Sequence, residues 1–307
     1  MTTLKIALAQ LSPAKDNIEK NIETAVSCIK TASKSDADLI IFPEQFVNCW
    51  DPICNRYSRK EQENIVTALK NAACENAVAV LGSYYKGSDC KTCNAAAEDA
   101  GEEHDRGGEQ REKGTAKENT SVFIDDRGEI LAEYSKVHLF SPAGEDRYFV
   151  AGDRPAVCSY KGFRFGLTIC YDLRFPELFS YYAAVGCNCV INQSAWGKAR
   201  MEHRDILSKA RAVENQYYFI GVNVAGKNPR DGSREDSQST QSTSQDEYSG
   251  GSNVIDPAGV TVLRADEDEG LFFAEIDSDC VTAARQSFPL LSHRRDSLYM
   301  EWRRKLS

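Results

Sequence analysis

The 307-residue sequence has no apolar run approaching the roughly 18 residues that a membrane-spanning helix requires. It has no basic patch either. Its 46 acidic residues against 37 basic ones give a formal net charge of −9, which argues against a nucleic-acid backbone or an anionic lipid surface as the main partner. The opening stretch, MTTLKIALAQLSP, meets a lysine and a glutamine before a long apolar segment can develop. It therefore reads as a strand and not as a signal peptide, and a soluble, cytoplasmic protein is expected.

What the chain does have is eleven cysteines, an odd number that rules out complete internal pairing. In a reducing compartment these are expected to be free thiols, most of them serving as small core hydrophobes. The length suits one large α/β domain or two small ones.

Short apolar runs bounded by turn-formers or charges recur at residues 4–11, 37–44, 77–85, 163–170, 187–196 and 217–225, and they read as strands, several buried on both faces. Amphipathic stretches at 16–34, 59–76, 176–186 and 202–216 alternate with them; in the first, Ile18, Ile22, Ala25, Val26 and Ile29 fall at helical spacing and make one apolar face. This alternation predicts a layered α/β fold. Two antiparallel hairpins interrupt it, one at 121–140 turning at Asp126-Arg127-Gly128, the other at 252–277 turning at Pro257-Ala258-Gly259. Both share a strand, then D-x-x-G, then a strand, which hints at an internal repeat. Residues 87–118 and 228–248 are charged and nearly without large apolar groups, so they read as mobile insertions.

In open α/β sheets reactive groups gather where strands end. Glu44 follows LIIFP, Lys136 follows the second arm of the first hairpin, and Cys170 follows FGLTI. Singly, each has a plainer reading: a solvated loop glutamate, a surface lysine, a buried core thiol. Cys170 differs in its neighbours, because Asp172, Arg174 and Glu177 turn the chain polar at once and a helix is expected from Pro176. A strand-to-helix elbow exposes a nucleophile and offers backbone N–H groups to an anion. Arg174, beside Asp172 and Glu177, is expected to brace this elbow through an ion pair.

DLIIFPE, YSKVHLF and LTICYDLRFPEL, in that order and supported by ARAVENQ and SGGSNVIDPAG, resemble the signature segments of the carbon-nitrogen hydrolase (nitrilase) superfamily. The resemblance covers the whole chain apart from the two insertions and implies a single domain over 1–307. It also implies an αββα four-layer sandwich, a homodimer or higher homo-oligomer paired through helices, a small-molecule amide substrate, and no metal or organic cofactor. Residue by residue it implies Glu44 as general base, Lys136 as oxyanion stabiliser and Cys170 as nucleophile. Glu145 corresponds to a second glutamate that helps hold substrate and lysine, Tyr171 supplies a backbone donor, and Trp196 lines the substrate pocket.

The chemistry fits such a set, since acyl transfer from an amide needs a nucleophile, a proton shuttle and positive charge at the carbonyl oxygen. The branch most resembled is omega-amidase-like, cleaving the terminal amide of 2-oxo acid monoamides. An N-carbamoyl amine hydrolase, a nitrilase and a non-catalytic binding protein on the same fold are the alternatives. Two rival motifs carry less. Cys90-Lys-Thr-Cys93 lies in a polar insertion, with His104 its one nearby further ligand for zinc. His138 stands two residues from Lys136 and could be misread as the base of a cysteine protease.

Overall fold

The computed structural model describes residues 2–15, 17–50, 59–88, 116–227 and 247–305. Among these the chain builds two six-stranded mixed sheets. The first holds β1 (Thr3–Gln10), β2 (Leu39–Ile41), β3 (Ala79–Ser88), β4 (Ala116–Ile124) and β5 (Ile130–Ser135), with β14 (Gly270–Asp277) added outside β1. The second holds β7 (Phe163–Ile169), β8 (Cys189–Ser194), β9 (Tyr218–Asn223), β12 (Asn253–Ile255) and β13 (Thr261–Arg264), with β6 (Val157–Tyr160) outside β7. In each sheet three consecutive strands run parallel, β1-β2-β3 and β7-β8-β9, and the flanking pairs are antiparallel.

The sheets face each other across one apolar layer. Leu4, Ile6, Leu39, Ile41, Leu81 and Phe123 of the first meet Phe163, Phe165, Leu167 and Ile191 of the second, and the Phe123 and Phe165 rings lie 5.4 Å apart. Helices α1 (Ile18–Lys34) and α2 (Arg59–Asn76) cover the outer face of the first sheet, where Ala25, Ile29, Ile65 and Leu69 pack on Ala7, Ile40 and Val80. The helical spacing read at Ile18, Ala25 and Ile29 is the buried stripe itself, and Asn17 caps this helix by accepting the Lys20 N–H at 3.0 Å. Helices α3 (Pro176–Ala184) and α4 (Met201–Asn215) follow β7 and β8. Gly166 lets α3 come close, since a Cβ there would stand 2.5 Å from Cγ of Tyr182. Helices α5 (Ser278–Ser287) and α6 (Asp296–Arg304) end the described chain.

The internal repeat hinted at by D-x-x-G is structural. Gly128 and Gly259 both take left-handed φ, +82° and +84°. Asp125 Oδ1 accepts the N–H groups of Arg127 and Glu129, and Asp256 Oδ1 accepts those of Ala258 and Val260. Asp38 and Asn188, each just before the second strand of its half, accept the N–H of Lys5 and of Arg164 through their side chains. The two halves thus use the same local bonds to place the same strands.

Two sequence readings change. The run 252–277 is not one hairpin: after β13 the chain leaves the second sheet, and β14 pairs antiparallel with β1 over Thr3–Gln10. The acidic linker Asp266-Glu267-Asp268-Glu269 makes the crossing, tied down where Gln10 Nε2 donates to the carbonyls of Asp266 and Asp268. The strands also run into the stretches read as insertions, because β3 and β4 stay paired out to Ser88 and Ala116 and Ala225–Lys227 (β10) pairs with Glu247–Ser249 (β11). Ladder bonds are made by backbone groups, so a polar composition does not prevent them. Residues 89–115 and 228–246 lie outside the described residues, as do Cys90, Cys93 and His104.

Candidate active site

The sequence candidates converge where the strands of both sheets end. Glu44 follows β2, Lys136 follows β5 and Cys170 follows β7, while Glu145 opens a short 3-10 helix, Glu145–Arg147. Glu44, Lys136 and Glu145 have 0% of their surface exposed and Cys170 has 9%. Lys136 Nζ stands 2.9 Å from Glu44 Oε1, and 3.1 and 2.8 Å from the two Glu145 oxygens. Each carboxylate is held further. Glu44 Oε2 accepts the Ala195 N–H at 3.0 Å, and Glu145 Oε2 accepts the Phe140 N–H at 2.7 Å.

Asn119 completes the cluster, and sequence reading missed it. Its Nδ2 donates to Glu44 Oε1 at 2.8 Å and to Glu145 Oε1 at 3.0 Å, while its Oδ1 accepts from Gln45 Nε2 at 2.6 Å. One signal was present, because Asn is disfavoured inside strands and Asn119 interrupts the β4 run.

Cys170 has φ +47°, a left-handed backbone that costs a non-glycine residue about 1–2 kcal/mol. It begins a 3-10 turn, Cys170–Arg174, between β7 and α3, and it faces the charges of Glu44, Lys136 and Glu145 together with the Ala195 N–H. Burial, then Glu44, push its thiol well above the ordinary range, against the pull of Lys136. Burial raises the Glu44 carboxyl in spite of Lys136. For Lys136 burial works downward, but Glu145 and Glu44 outweigh it and hold the ammonium well above its usual value. The site at rest is therefore a neutral thiol beside a carboxylate that is paired with a protonated lysine.

The surrounding wall is aromatic and cationic. Phe140 lies 5.1 Å from Tyr171, which is 5.2 Å from Phe175, which stacks at 3.7 Å on His138. The Tyr171 ring is thus a packing group. Trp196 is buried, with its indole N–H given to the Arg200 carbonyl at 2.8 Å. The expected elbow ion pair of Arg174 does not form. Its guanidinium lies over the Trp196 ring at 5.0 Å and reaches His203 Nδ1 at 3.4 Å, while Glu177 pairs with Arg303 and Asp172 points inward to Tyr134 and His138. Arg200 lies over Phe140 at 5.2 Å. His138 is held by Asp172 through Nδ1 and is not placed as a partner of the thiol.

No metal-binding group of three or more His, Cys, Asp or Glu exists among the described residues. No helix among them is long and apolar enough to cross a membrane.

Known proteins resemble this chain in sequence and fold. An amidase from Nesterenkonia sp. superposes with a TM-score of 0.77 at 25% identity, over 98% of this chain and 97% of that one. A variant of that amidase shows acrylamide added at its active-site cysteine. An omega-amidase of Saccharomyces cerevisiae is 29% identical over 313 residues, spanning 97% of this chain and 95% of that protein. A 2-oxoglutaramate amidase of Bacillus subtilis is 33% identical over 181 residues, and that match spans 59% of this chain and 64% of the relative's length. The carbon-nitrogen hydrolase profile matches residues 5–286. With two facing mixed sheets, helices outside them and this profile over nearly its whole length, the chain belongs to the carbon-nitrogen hydrolase family, whose members hydrolyse non-peptide C–N bonds.

Proposed function

We propose that the protein is an omega-amidase-like amidohydrolase that converts a small linear carboxamide, a 2-oxo acid monoamide, to the acid and ammonia through a thioester on Cys170. The observation that carries the reading is the buried cluster of Glu44, Lys136, Glu145 and Cys170, with Lys136 bonded to both carboxylates. A thiol raised by burial is not a standing thiolate, so the nucleophile has to be made during attack. Glu44 takes the Cys170 proton as sulfur adds to the amide carbon, and passes it to the departing ammonia. Lys136 and the Tyr171 N–H, which as a first-turn donor has no acceptor within its own helix, take up the oxyanion charge. Water then attacks the thioester. Glu44 accepts its proton and returns it to sulfur, the acid leaves, and the thiol is restored. Asn119 and Glu145 keep Lys136 and Glu44 apart from solvent and in line.

The acidic end of the substrate is supported by Arg174 and Arg200. Both lie on aromatic rings of the wall, and neither has a carboxylate partner among the described residues. A carboxylate or 2-oxo acid group satisfies those guanidiniums better than an alkyl group. The single-domain organisation over 1–307 and the cytoplasmic location belong to this reading, and the eight described cysteines, all free thiols, fit a reducing compartment. A homodimer formed through α3 and α4 is supported by the exposed apolar side chains Tyr181, Ile206 and Val213 on those helices.

Ammonia release over a panel of 2-oxo acid monoamides, simple carboxamides, carbamoyl amines and nitriles tests the reading. The monoamides are expected to be the best substrates and Cys170→Ala to abolish turnover, with intact mass showing one substrate-derived adduct in the parent enzyme. Turnover of nitriles or carbamoyl amines alone, or unchanged turnover by Cys170→Ala, would refute it.

A further inference from the structure

The mechanism above gives no task to one fully buried carboxylate next to the nucleophile. Asp172 lies two residues after Cys170 with no exposed surface, and no lysine or arginine pairs with it among the described residues. Its Oδ2 accepts the Ile169 N–H at 2.9 Å and the Tyr134 hydroxyl at 2.7 Å. Its Oδ1 accepts the His138 backbone N–H at 3.0 Å and stands 2.8 Å from His138 Nδ1. A carboxylate can only accept, so Nδ1 is the protonated nitrogen of that ring.

The donors fall in a pattern. Tyr134 and His138 are two residues before and two residues after Lys136, and Ile169 is the residue before Cys170. The Tyr134 oxygen in turn accepts the Val137 N–H at 3.4 Å. A single carboxylate from the nucleophile turn therefore holds the lysine segment on both sides of Lys136. It also pins the strand end from which the chain enters the strained φ of Cys170. The far end of the turn is fixed separately, with the Leu173 carbonyl accepting from Arg211 Nε and Nη2 at 3.1 and 2.8 Å.

We propose that Asp172, with Tyr134 and His138, is a positioning device that sets the distance of the Cys170 sulfur from the Lys136–Glu44 pair. The inference rests on the catalytic reading given above. Asp172 touches no reacting atom. It joins two segments that come from different sheets, β5 of the first and β7 of the second, and whose relative placement no covalent link fixes. The four hydrogen bonds converge on one rigid, water-excluded group, and buried charge-assisted bonds of this kind are short and directional. The stack of His138 on Phe175, 3.7 Å apart and 6° from parallel, follows from the same anchor and sets one wall of the site.

The test reads the thiol directly, so that it does not depend on the substrate. Cys170 alkylation by iodoacetamide is followed by mass spectrometry against pH in the parent protein, in Asp172→Asn and in Tyr134→Phe, the last removing one hydroxyl and keeping the ring. Displacement of about 1 Å at such a site is expected to slow reaction by roughly 10- to 100-fold, with Asp172→Asn the more affected and Tyr134→Phe slowed about 3- to 10-fold. The acid limb of the rate profile also moves to higher pH in both, because Glu44 loses part of the Lys136 contact that counters its burial, while the Glu145 charge that raises it remains. Unfolded chains would add a separate alkylation component that rises with the ordinary thiol limb at about pH 8.5, distinct from a displaced acid limb. Should Asp172→Asn fail to fold, Tyr134→Phe decides alone. An unchanged rate and limb in a folded Tyr134→Phe, or a rate loss with an unmoved limb, overturns the inference. Loss of alkylation in these variants with no amide turned over by the parent enzyme would sink the substrate reading and leave this one standing.

Discussion

At the scale of single residues the site is a problem of burying four ionisable groups together. Glu44, Lys136 and Glu145 have no contact with water, and isolated charges so placed would neutralise. The two carboxylates hold Lys136 protonated, and the Asn119 amide joins the cluster by donating to both of them, which gives Asn119 a part in the proposed chemistry. Asn119→Ala removes donors from Glu44 and Glu145 at once. Hydrogen bonds to charged groups contribute about 1.5–3 kcal/mol each, so kcat is expected to fall roughly 10- to 100-fold; a parent-like kcat would reject the assignment. The pH profile carries the matching sign. Only ionised Glu44 accepts the thiol proton, and burial raises its pKa above the usual carboxylate value. Activity is therefore expected to disappear as pH falls through an apparent pKa higher than that of an exposed glutamate, and a kcat/KM limb at or below the ordinary value would contradict the burial argument.

Glu44, Lys136 and Cys170 were legible in the sequence because each ends an apolar strand and together they match a family pattern. Asn119 and Asp172 were not, because their meaning lies in partners 75 and 34 residues away, which no local spacing reveals. Arg174 was misread for a related reason. Adjacency in the chain to Asp172 and Glu177 counted for less than the Trp196 ring brought beside it by folding.

At the scale of elements, the alternation of strands and helices was readable because the strands are short apolar runs bounded by turn-formers or charges, while the helices are longer stretches with an apolar face at 3.6-residue spacing. What periodicity does not contain is the partner of a strand. The apolar arm 270–277 looked like the end of a hairpin, yet its backbone bonds go to β1, some 260 residues earlier in the chain. Helices α5 and α6 also escaped notice, though the first carries a readable start, with Asp277 accepting the Asp279 N–H at 2.9 Å. The repeated D-x-x-G turns were legible because their glycines answer a local need. Gly259→Ala tests that need away from the active site. A Cβ there meets Val213 Cγ2 at 2.6 Å, and φ is +84°. A loss of roughly 1–2 kcal/mol, a drop of about 2–8 °C in Tm, is expected by thermal melting with kcat preserved, whereas an unchanged Tm would mean that the turn carries no strain.

At the scale of the whole molecule, the same burial that keeps Cys170 neutral acts on many other acids, and the effects share a sign. Burial pushes Cys158 up to about 12 and Cys187 up to about 11, and raises Cys189, Tyr134 and Tyr217 well above their ordinary values. Each of these groups keeps its proton in the folded protein where the unfolded chain releases it. A folded pKa raised above the unfolded one contributes stability that is fully present below the unfolded value and is lost as pH rises toward the folded one. An unfolded thiol titrates near pH 8.5, so by pH 10 Cys158 and Cys187 each forfeit about 1.5–2 kcal/mol. That is a large part of the roughly 5–15 kcal/mol that holds a typical domain folded. The urea midpoint is therefore expected to be flat from neutral pH to about 8 and to fall steeply between 8.5 and 10. The Cys158→Ala, Cys187→Ala double variant is less stable at pH 7.5 because of the lost packing, but its midpoint should fall by less over the same interval. A parallel decline of the two proteins would assign the alkaline loss to the remaining buried thiols, Cys170 and Cys189, with the buried tyrosines and Lys136 acting in the same direction at still higher pH.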